Sequence, residues 1–239
     1  MQSVIVHAQP DFCNSCASRN ARSFCSLGDE LLREFRTVVG LSRFGAGAMI
    51  YREGDRCERV YIVCEGRAKL LSTSGDGKVL LLRFCEPGDV LAVNAAVRGG
   101  VHESSAMVTE PSLIGAVSRE NMIRFASSHQ EVFLRLVELA SEEYKAAQRM
   151  IRFFAFGATA GARLARLLLD WCDLRGFPAD DGIHIRVRVT HTDLAQLVGT
   201  TRETVTRLVS ELARERVVAR SLEEIVVLDR RRLESRLTY

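Results

Sequence analysis

The apolar positions of this chain change their period along its length. From Leu41 to about Val117 they come in short runs cut by turn signals: Val60–Cys64 before Glu65-Gly66, Ala68–Leu71 before Ser74-Gly75-Asp76-Gly77, and Val79–Phe84 before Pro87-Gly88-Asp89. Short apolar runs between Gly-containing turns predict an all-β sandwich or barrel. On either side of that block the period lengthens. Asp29–Val39 reads as a short amphipathic helix, and Ser118–Ser128 reads as another.

A long helix is predicted from near His129. Phe133, Val137, Ala140, Tyr144, Ala147, Ile151 and Phe154 fall at alternating spacings of four and three, an unbroken heptad seam. A helix packed only on its own domain carries a wider apolar stripe. Here Glu138, Glu142, Glu143, Lys145, Gln148, Arg149 and Arg152 fill the remaining surface. A narrow seam flanked by charge favours a partner helix, so these seven positions are the candidate dimerisation residues. Gly157–Gly161 interrupts the helix as a candidate hinge. A further helix, Ala162–Leu174, stops at Arg175-Gly176-Phe177-Pro178, and His184–Val189 alternates like a strand.

Two short helices follow. Thr190 is placed to cap the first and Asp193 to favour its first turn; Leu194, Ala195, Leu197 and Val198 give its buried face, and Gly199 ends it. Thr200-Thr201-Arg202-Glu203 then has the S/T-x-x-E spacing of a capping box, so a second helix begins at once. Its apolar residues Val205, Leu208, Val209 and Leu212 share one face. Two such helices joined through a glycine form a helix-turn-helix, whose second member lies in the DNA major groove. Arg202, Glu203 and Arg207 are the outward side chains at its start. Arginine matches the O6 and N7 acceptors of guanine, and glutamate accepts from the N4 amino group of cytosine. Thr201, Thr204 and Thr206 are candidates for phosphate contacts, and Thr190 and Thr192 complete the candidate DNA-binding set. Val217–Arg220 and Ile225–Leu228, around Ser221-Leu222-Glu223-Glu224, read as a two-stranded wing.

Pattern therefore divides the chain into a cysteine-containing segment, 1–28, a β domain, 29–128, a dimerisation helix, 129–156, and a winged helix-turn-helix domain, 157–239, an α+β organisation. The length of 239 residues suits two domains. The apolar fraction of 47% is enough for real cores. No stretch is apolar enough to span a membrane, and Met1–Asp11 lacks the form of a secretory signal, so the cytoplasm is the expected compartment. A net charge of +3 excludes a strongly acidic protein without announcing nucleic acid. Lysine occurs only at Lys69, Lys78 and Lys145, so 30 of the 33 basic residues are arginine, whose planar fork suits phosphate and guanine.

Over nearly its full length the chain resembles the CRP/FNR family of bacterial regulators. The matching pieces are the Gly-punctuated run Tyr61–Leu70 followed by Phe84–Val90, the long helix, and above all Val189–Leu212 with Arg202, Glu203 and Arg207 in the CRP form of the recognition helix. The resemblance implies a cyclic-nucleotide-binding-type β-roll as sensor and a homodimer reading a two-fold symmetric site on double-stranded DNA. It also implies transcriptional regulation, with RNA polymerase as a further partner. Cyclic-AMP-binding members carry a glutamate and an arginine at the positions of Val93 and Ser104 here. Without that guanidinium a cyclic phosphate would be desolvated unpaired, so a cyclic-AMP response is not expected.

Seven cysteines is an odd count with little use as disulfides in the cytoplasm. Cys13, Cys16 and Cys25 cluster at the front and resemble the N-terminal ligand set of FNR-type oxygen sensors, which hold a 4Fe–4S cluster. The family's fourth cysteine falls here on Gly115, leaving Cys64 or Cys85 to supply the missing thiolate. Zinc, a thiol redox switch and an unmetallated segment are the other readings of the same cysteines.

A small molecule or nucleotide other than cyclic AMP could be the effector of the same regulator. A β-roll module controlling a partner protein, with the C-terminal helices as a docking surface, is the reading from a different class. An enzyme is not expected: His7, His102, His129, His184 and His191 form no constellation with a nucleophile, and no turn has a phosphate-loop pattern.

Overall fold

In a computed structural model of the chain, residues 4–6, 24–157, 159–221 and 223–237 are described. They divide into two compact units, Met1–Lys145 and Ala146–Tyr239.

The first unit is a roll of two antiparallel sheets. Its elements are β1 (Val4–Val6), α1 (Asp29–Phe35), β2 (Gly40–Phe44), β3 (Met49–Tyr51), β4 (Arg59–Glu65), β5 (Ala68–Thr73), β6 (Val79–Cys85), β7 (Val90–Leu91), α2 (Val93–Arg98), β8 (Ser105–Val108), β9 (Ser112–Ser118), α3 (Arg119–Ser128) and most of α4 (Gln130–Phe156). One sheet runs β1-β2-β9-β4-β7 and the other β3-β8-β5-β6. The runs read from Val60, Ala68 and Val79 are β4, β5 and β6. Alternation along β4 makes two cores, since successive side chains leave opposite faces of a strand. Val60 and Ile62 join Phe24, Phe35, Val117, Phe125 and Val132 in a core between the first sheet and the helices. Val63 joins Ala68, Cys85, Leu91 and Ile114 in a second core.

The roll's turns need glycine where the chain reverses tightly. Gly66 has φ +80°, and a Cβ there would lie 2.3 Å from Ser112 Oγ and 2.7 Å from the Pro111 carbonyl oxygen. Pattern reading missed α2. It opens from Ala92 in the left-handed region, φ 67°, and its few residues are too short a stretch to show a helical period.

The long helix carries two apolar stripes rather than one. Val132 and Leu136 are buried, with Leu139 packed beside them on the first core. The heptad seam faces outward: Phe133 is 53% exposed, Val137 49%, Tyr144 66% and Ile151 68%. One flanking residue differs from its expected place on the surface. Glu143 is half-buried, accepting from Asn94 Nδ2 at 2.7 Å and pairing with Arg83 at 3.3 Å, while Arg83 also pairs with Asp89 at 3.1 Å. Burial pushes the Glu143 carboxyl up, and Arg83 opposes that shift.

The second unit contains the last residues of α4, then α5 (Ala160–Arg175), β10 (Phe177–Ala179), β11 (Gly182–Arg186), α6 (His191–Val198), α7 (Arg202–Arg214), β12 (Val218–Arg220), β13 (Glu224–Val227) and α8 (Arg230–Glu234). The expected two-stranded wing is part of a larger sheet, ordered β10-β11-β13-β12. The strand expected over His184–Val189 runs instead from Gly182 to Arg186. Its ladder with β13 closes at Arg186, opposite Glu224, and one further backbone hydrogen bond follows, from the Val187 amide to the Glu223 carbonyl at 2.9 Å.

Candidate nucleic-acid interface

Local hydrogen bonding fixes where α6 begins. Thr190 Oγ1 accepts from the Asp193 amide at 3.0 Å, and Asp193 Oδ2 accepts from the Thr190 amide at 3.0 Å and from its hydroxyl at 2.7 Å. This reciprocal capping satisfies donors that a helix start leaves open. Gly199 closes the helix in the left-handed region, φ 64°.

The cap of α7 lies one residue later than its spacing predicted. Thr200 is committed to finishing α6, its amide donating to the Ala195 carbonyl at 2.9 Å. Thr201 therefore caps α7, accepting from the Thr204 amide at 3.3 Å, and the Thr201 and Thr204 hydroxyls lie 3.1 Å apart. Glu203 is released from the box and sits in the first turn, fully exposed. Its own amide and the Thr201 hydroxyl hold its carboxyl below the usual range.

The two faces of α7 separate cleanly. Val205 and Leu212 are buried, whereas Arg202, Glu203, Thr206 and Arg207 are exposed. Among the described residues the guanidiniums of Arg202 and Arg207 make neither an ion pair nor a hydrogen bond. Several candidate threonines are otherwise engaged. Thr190, Thr201 and Thr204 serve the caps, and the Thr206 hydroxyl donates to the Arg202 carbonyl at 2.8 Å. Thr192 is exposed on the first turn of α6.

Two residues here were not singled out in the sequence. His191 Nδ1 lies 2.9 Å from Thr206 Oγ1. Because the Thr206 proton goes to the Arg202 carbonyl, His191 is the donor of that contact. Partial burial, then Arg220 and Arg202, lower the His191 pKa. Arg220 donates to the Val189 carbonyl immediately before α6, so β12 braces the start of that helix. Its Nε is buried with no partner among the described residues. The contact with Val189 spans 31 residues, which no local pattern signals.

Arg163 ties the same unit together. Its Nε donates to the Val198 carbonyl at the end of α6 at 2.7 Å, and its Nη1 to the Gly157 carbonyl at 2.8 Å. Gly157 is glycine because a Cβ would meet Arg163 Cγ at 2.4 Å and the Phe153 carbonyl at 2.6 Å. The interruption expected at Gly157–Gly161 is thus a packed joint between α4 and α5.

Of the cysteine set, Cys13 and Cys16 lie outside the described residues. Cys25 is half-buried in the short 3-10 turn Phe24–Ser26. Cys64 is half-buried on β4, and Cys85 is fully buried at the end of β6, where desolvation pushes its thiol up to about 12. Among the described residues no group of three or more His, Cys, Asp or Glu side chains forms a metal site. No described helix is long and apolar enough to cross a membrane.

A β-roll followed by a long helix with an exposed apolar seam, then capped helices presenting unpaired arginines, is the architecture of a DNA-binding regulator. Comparison with known proteins agrees. Residues 41–129 match the cyclic nucleotide-binding domain, and residues 162–236 match the Crp-like helix-turn-helix domain. The chain belongs to the CRP/FNR family of transcriptional regulators. It is 28% identical over 236 residues to the nitrogen fixation regulation protein FixK of Bradyrhizobium diazoefficiens, covering 97% of this chain and 96% of that one. It is 27% identical over 209 residues to the global nitrogen regulator of Synechococcus elongatus, covering 84% and 94%. In fold it is similar to a mutant of CooA from Carboxydothermus hydrogenoformans, with TM-score 0.75, 18% identity and 98% of each chain covered. The two sequence relatives, FixK and the global nitrogen regulator, are both regulators by name.

Proposed function

We propose that this chain is a cytoplasmic homodimeric regulator that reads a two-fold symmetric DNA site through α7 and acts on RNA polymerase. Its DNA affinity follows the redox state of an iron–sulfur cluster. The observation that carries the DNA reading is the pair of exposed, unpaired guanidiniums at Arg202 and Arg207 beside the Glu203 carboxylate, all at the start of α7. Major-groove readers place that end of the helix at the base edges. Thr201, Thr204 and Thr206 stand at the same end, and Thr190 and Thr192 at the start of α6; hydroxyls and helix N-termini are where phosphates are met. Homodimerisation is supported by the outward seam Phe133, Val137, Ala140, Tyr144, Ala147, Ile151 and Phe154, an apolar stripe with the heptad period of paired helices.

Cys13, Cys16, Cys25 and one later cysteine would hold a 4Fe–4S cluster, whose ligands are four cysteine thiolates. Cys25 fits that role: it is half-buried against the first core of the roll, in apolar surroundings that limit solvent access. Such a cluster supplies sensitivity to oxygen. Cyclic AMP is not the effector in this reading, since Val93 is buried in the first core and Ser104 offers no positive charge to a phosphate.

Two measurements test the proposal. Arg202→Ala should weaken binding to a selected site by about 1–3 kcal/mol and relax one base position in a mobility-shift assay. Wild-type affinity in that variant overturns the reader assignment. Anaerobic iron and sulfide analysis, with DNA binding measured before and after air, tests the sensor. A protein devoid of both elements ends that branch while leaving the reader intact.

A further inference from the structure

His191 stands beside the arginines of α7 as the first residue of α6, half-buried, between the cap Thr190 and the exposed Thr192. Its Nδ1 lies 2.9 Å from Thr206 Oγ1, one turn along α7 from Arg202. The Thr206 hydroxyl has a single proton and gives it to the Arg202 carbonyl at 2.8 Å. Nδ1 therefore carries the ring proton, and in the neutral imidazole Nε2 keeps only a lone pair. Among the described residues Nε2 has no hydrogen-bond partner, and it is open to solvent.

A DNA phosphate presents acceptor oxygens. Neutral His191 has no proton at Nε2 to donate to one, whereas the imidazolium donates from both nitrogens and adds a positive charge. Burial first, then Arg220 on β12 and Arg202 on α7, keep that second proton off the free protein. On α6 itself the Asp193 carboxylate turns back onto the Thr190 amide and hydroxyl, at 3.0 and 2.7 Å. An incoming phosphate reverses the balance: it offsets the two guanidiniums and supplies the acceptor that a protonated Nε2 needs.

We infer that His191 is a proton-dependent phosphate clamp of the reader: its ring, held through Nδ1 on Thr206, takes up a proton at Nε2 as it binds the DNA backbone. The inference rests on the DNA-reading role of α7 proposed above and adds a contact whose strength follows pH. The free ring titrates below the ordinary value of about 6.5, and the DNA-bound ring titrates above that free value. Binding therefore consumes a proton between the two. Affinity rises as pH falls through that window, by at most about tenfold per pH unit for each protomer, and levels off below it.

Full-length protein and a duplex carrying a selected site test this, with affinity measured over a salt series at about pH 8 and about pH 6. Wild type should bind more tightly at the lower pH. Its log affinity should also fall more steeply with log salt there, by roughly one per protomer, because one more phosphate is neutralised. His191→Arg, a permanent cation, should show the steep dependence at both pH values, and His191→Gln the shallow one at both. The other four of the five histidines are common to all three proteins, so any response of theirs cancels in the comparison.

Histidine-ring nitrogen NMR gives a second readout, with His191 identified as the signal that a variant lacks. The free protein at about pH 8 should show a protonated Nδ1 and a bare Nε2; DNA added near pH 6.5 should leave both nitrogens protonated. Thermal unfolding checks each variant, and one that folds is enough for the assignment. A ring that stays singly protonated in the complex overturns the clamp, as does a wild-type salt dependence equal to that of His191→Gln at both pH values; either leaves the reader standing. A wild-type protein that binds no selected duplex at either pH overturns the reader and this inference with it.

Discussion

The DNA reader and the β-roll differ in how the sequence encodes them. In the reader, the groups that act lie between Thr190 and Arg207, and near neighbours place most of them. Thr190 and Asp193 cap each other, Gly199 ends one helix, and Thr201 starts the next. In the roll, the groups that matter come from distant parts of the chain. Phe24, Val63 and Gly88 are joined by backbone hydrogen bonds, and Gly115 faces Cys64 only because β4 lies beside β9. A slip of one residue in that register would send every β4 side chain to the other core. The placement of groups in the reader thus depends on capping, and in the roll on register and close backbone approach.

The largest test of that contrast is Gly66→Ala. The new Cβ would demand an unfavourable φ of +80° and would press on the Pro111 and Ser112 backbone, which a side-chain rotation cannot relieve. Strain in the left-handed region and overpacking together should cost on the order of 3–5 kcal/mol. Chemical denaturation should show the roll's transition displaced and the reader's nearly unmoved. A loss below about 1 kcal/mol would mean the turn tolerates a side chain and the close approach is not limiting.

That difference also decides what could be read in advance. The strands β4, β5 and β6, the long helix and the helix-turn-helix all followed from periodicity and turn residues, because each is written in consecutive positions. The cap of α7 was misplaced by one residue, since Thr200 and Thr201 offer the same hydroxyl and only the Thr200 hydrogen bond to Ala195 separates them. His191 and Arg220 were passed over because their partners, Thr206 and Val189, lie 15 and 31 residues away. Glu143 looked like one more surface charge on the helix until Arg83 and Asn94 closed on it. Cys64 and Cys85 were indistinguishable as apolar-strand cysteines. Strand alternation puts Cys64 with Val60 and Ile62 against the first core, whereas Cys85, at the end of β6 in the other sheet, lies in the second.

A smaller effect should follow from Thr190→Val, which keeps the shape of the side chain and deletes the hydroxyl. The Asp193 amide loses its acceptor and the Asp193 carboxylate loses its 2.7 Å donor. Loss of such a cap costs about 0.5–2 kcal/mol. The expected result is a reader transition lowered by that amount, with the roll unaffected. An unchanged reader would show that packing of Leu194, Val198 and Val205, rather than capping, fixes the start of α6.

The smallest expected effect lies in the roll and depends on pH. His102 is buried, its ring stacked on Tyr51 at 3.9 Å, and its Nδ1 has no partner among the described residues. Burial lowers its pKa, with Asp55 opposing. Above the ordinary value of about 6.5 the ring is neutral both folded and unfolded, so stability does not depend on it. Below that value the unfolded chain takes up the proton first, and the roll loses stability as pH falls toward the lowered folded pKa. The slope cannot exceed about 1.4 kcal/mol per pH unit for one proton. His102→Phe keeps an aromatic ring against Tyr51 and removes the titration, so its denaturation midpoint should change less between neutral and mildly acidic buffer than that of wild type. Equal acid sensitivity in the two proteins would assign the loss to other groups and leave the Tyr51–His102 stack as packing alone.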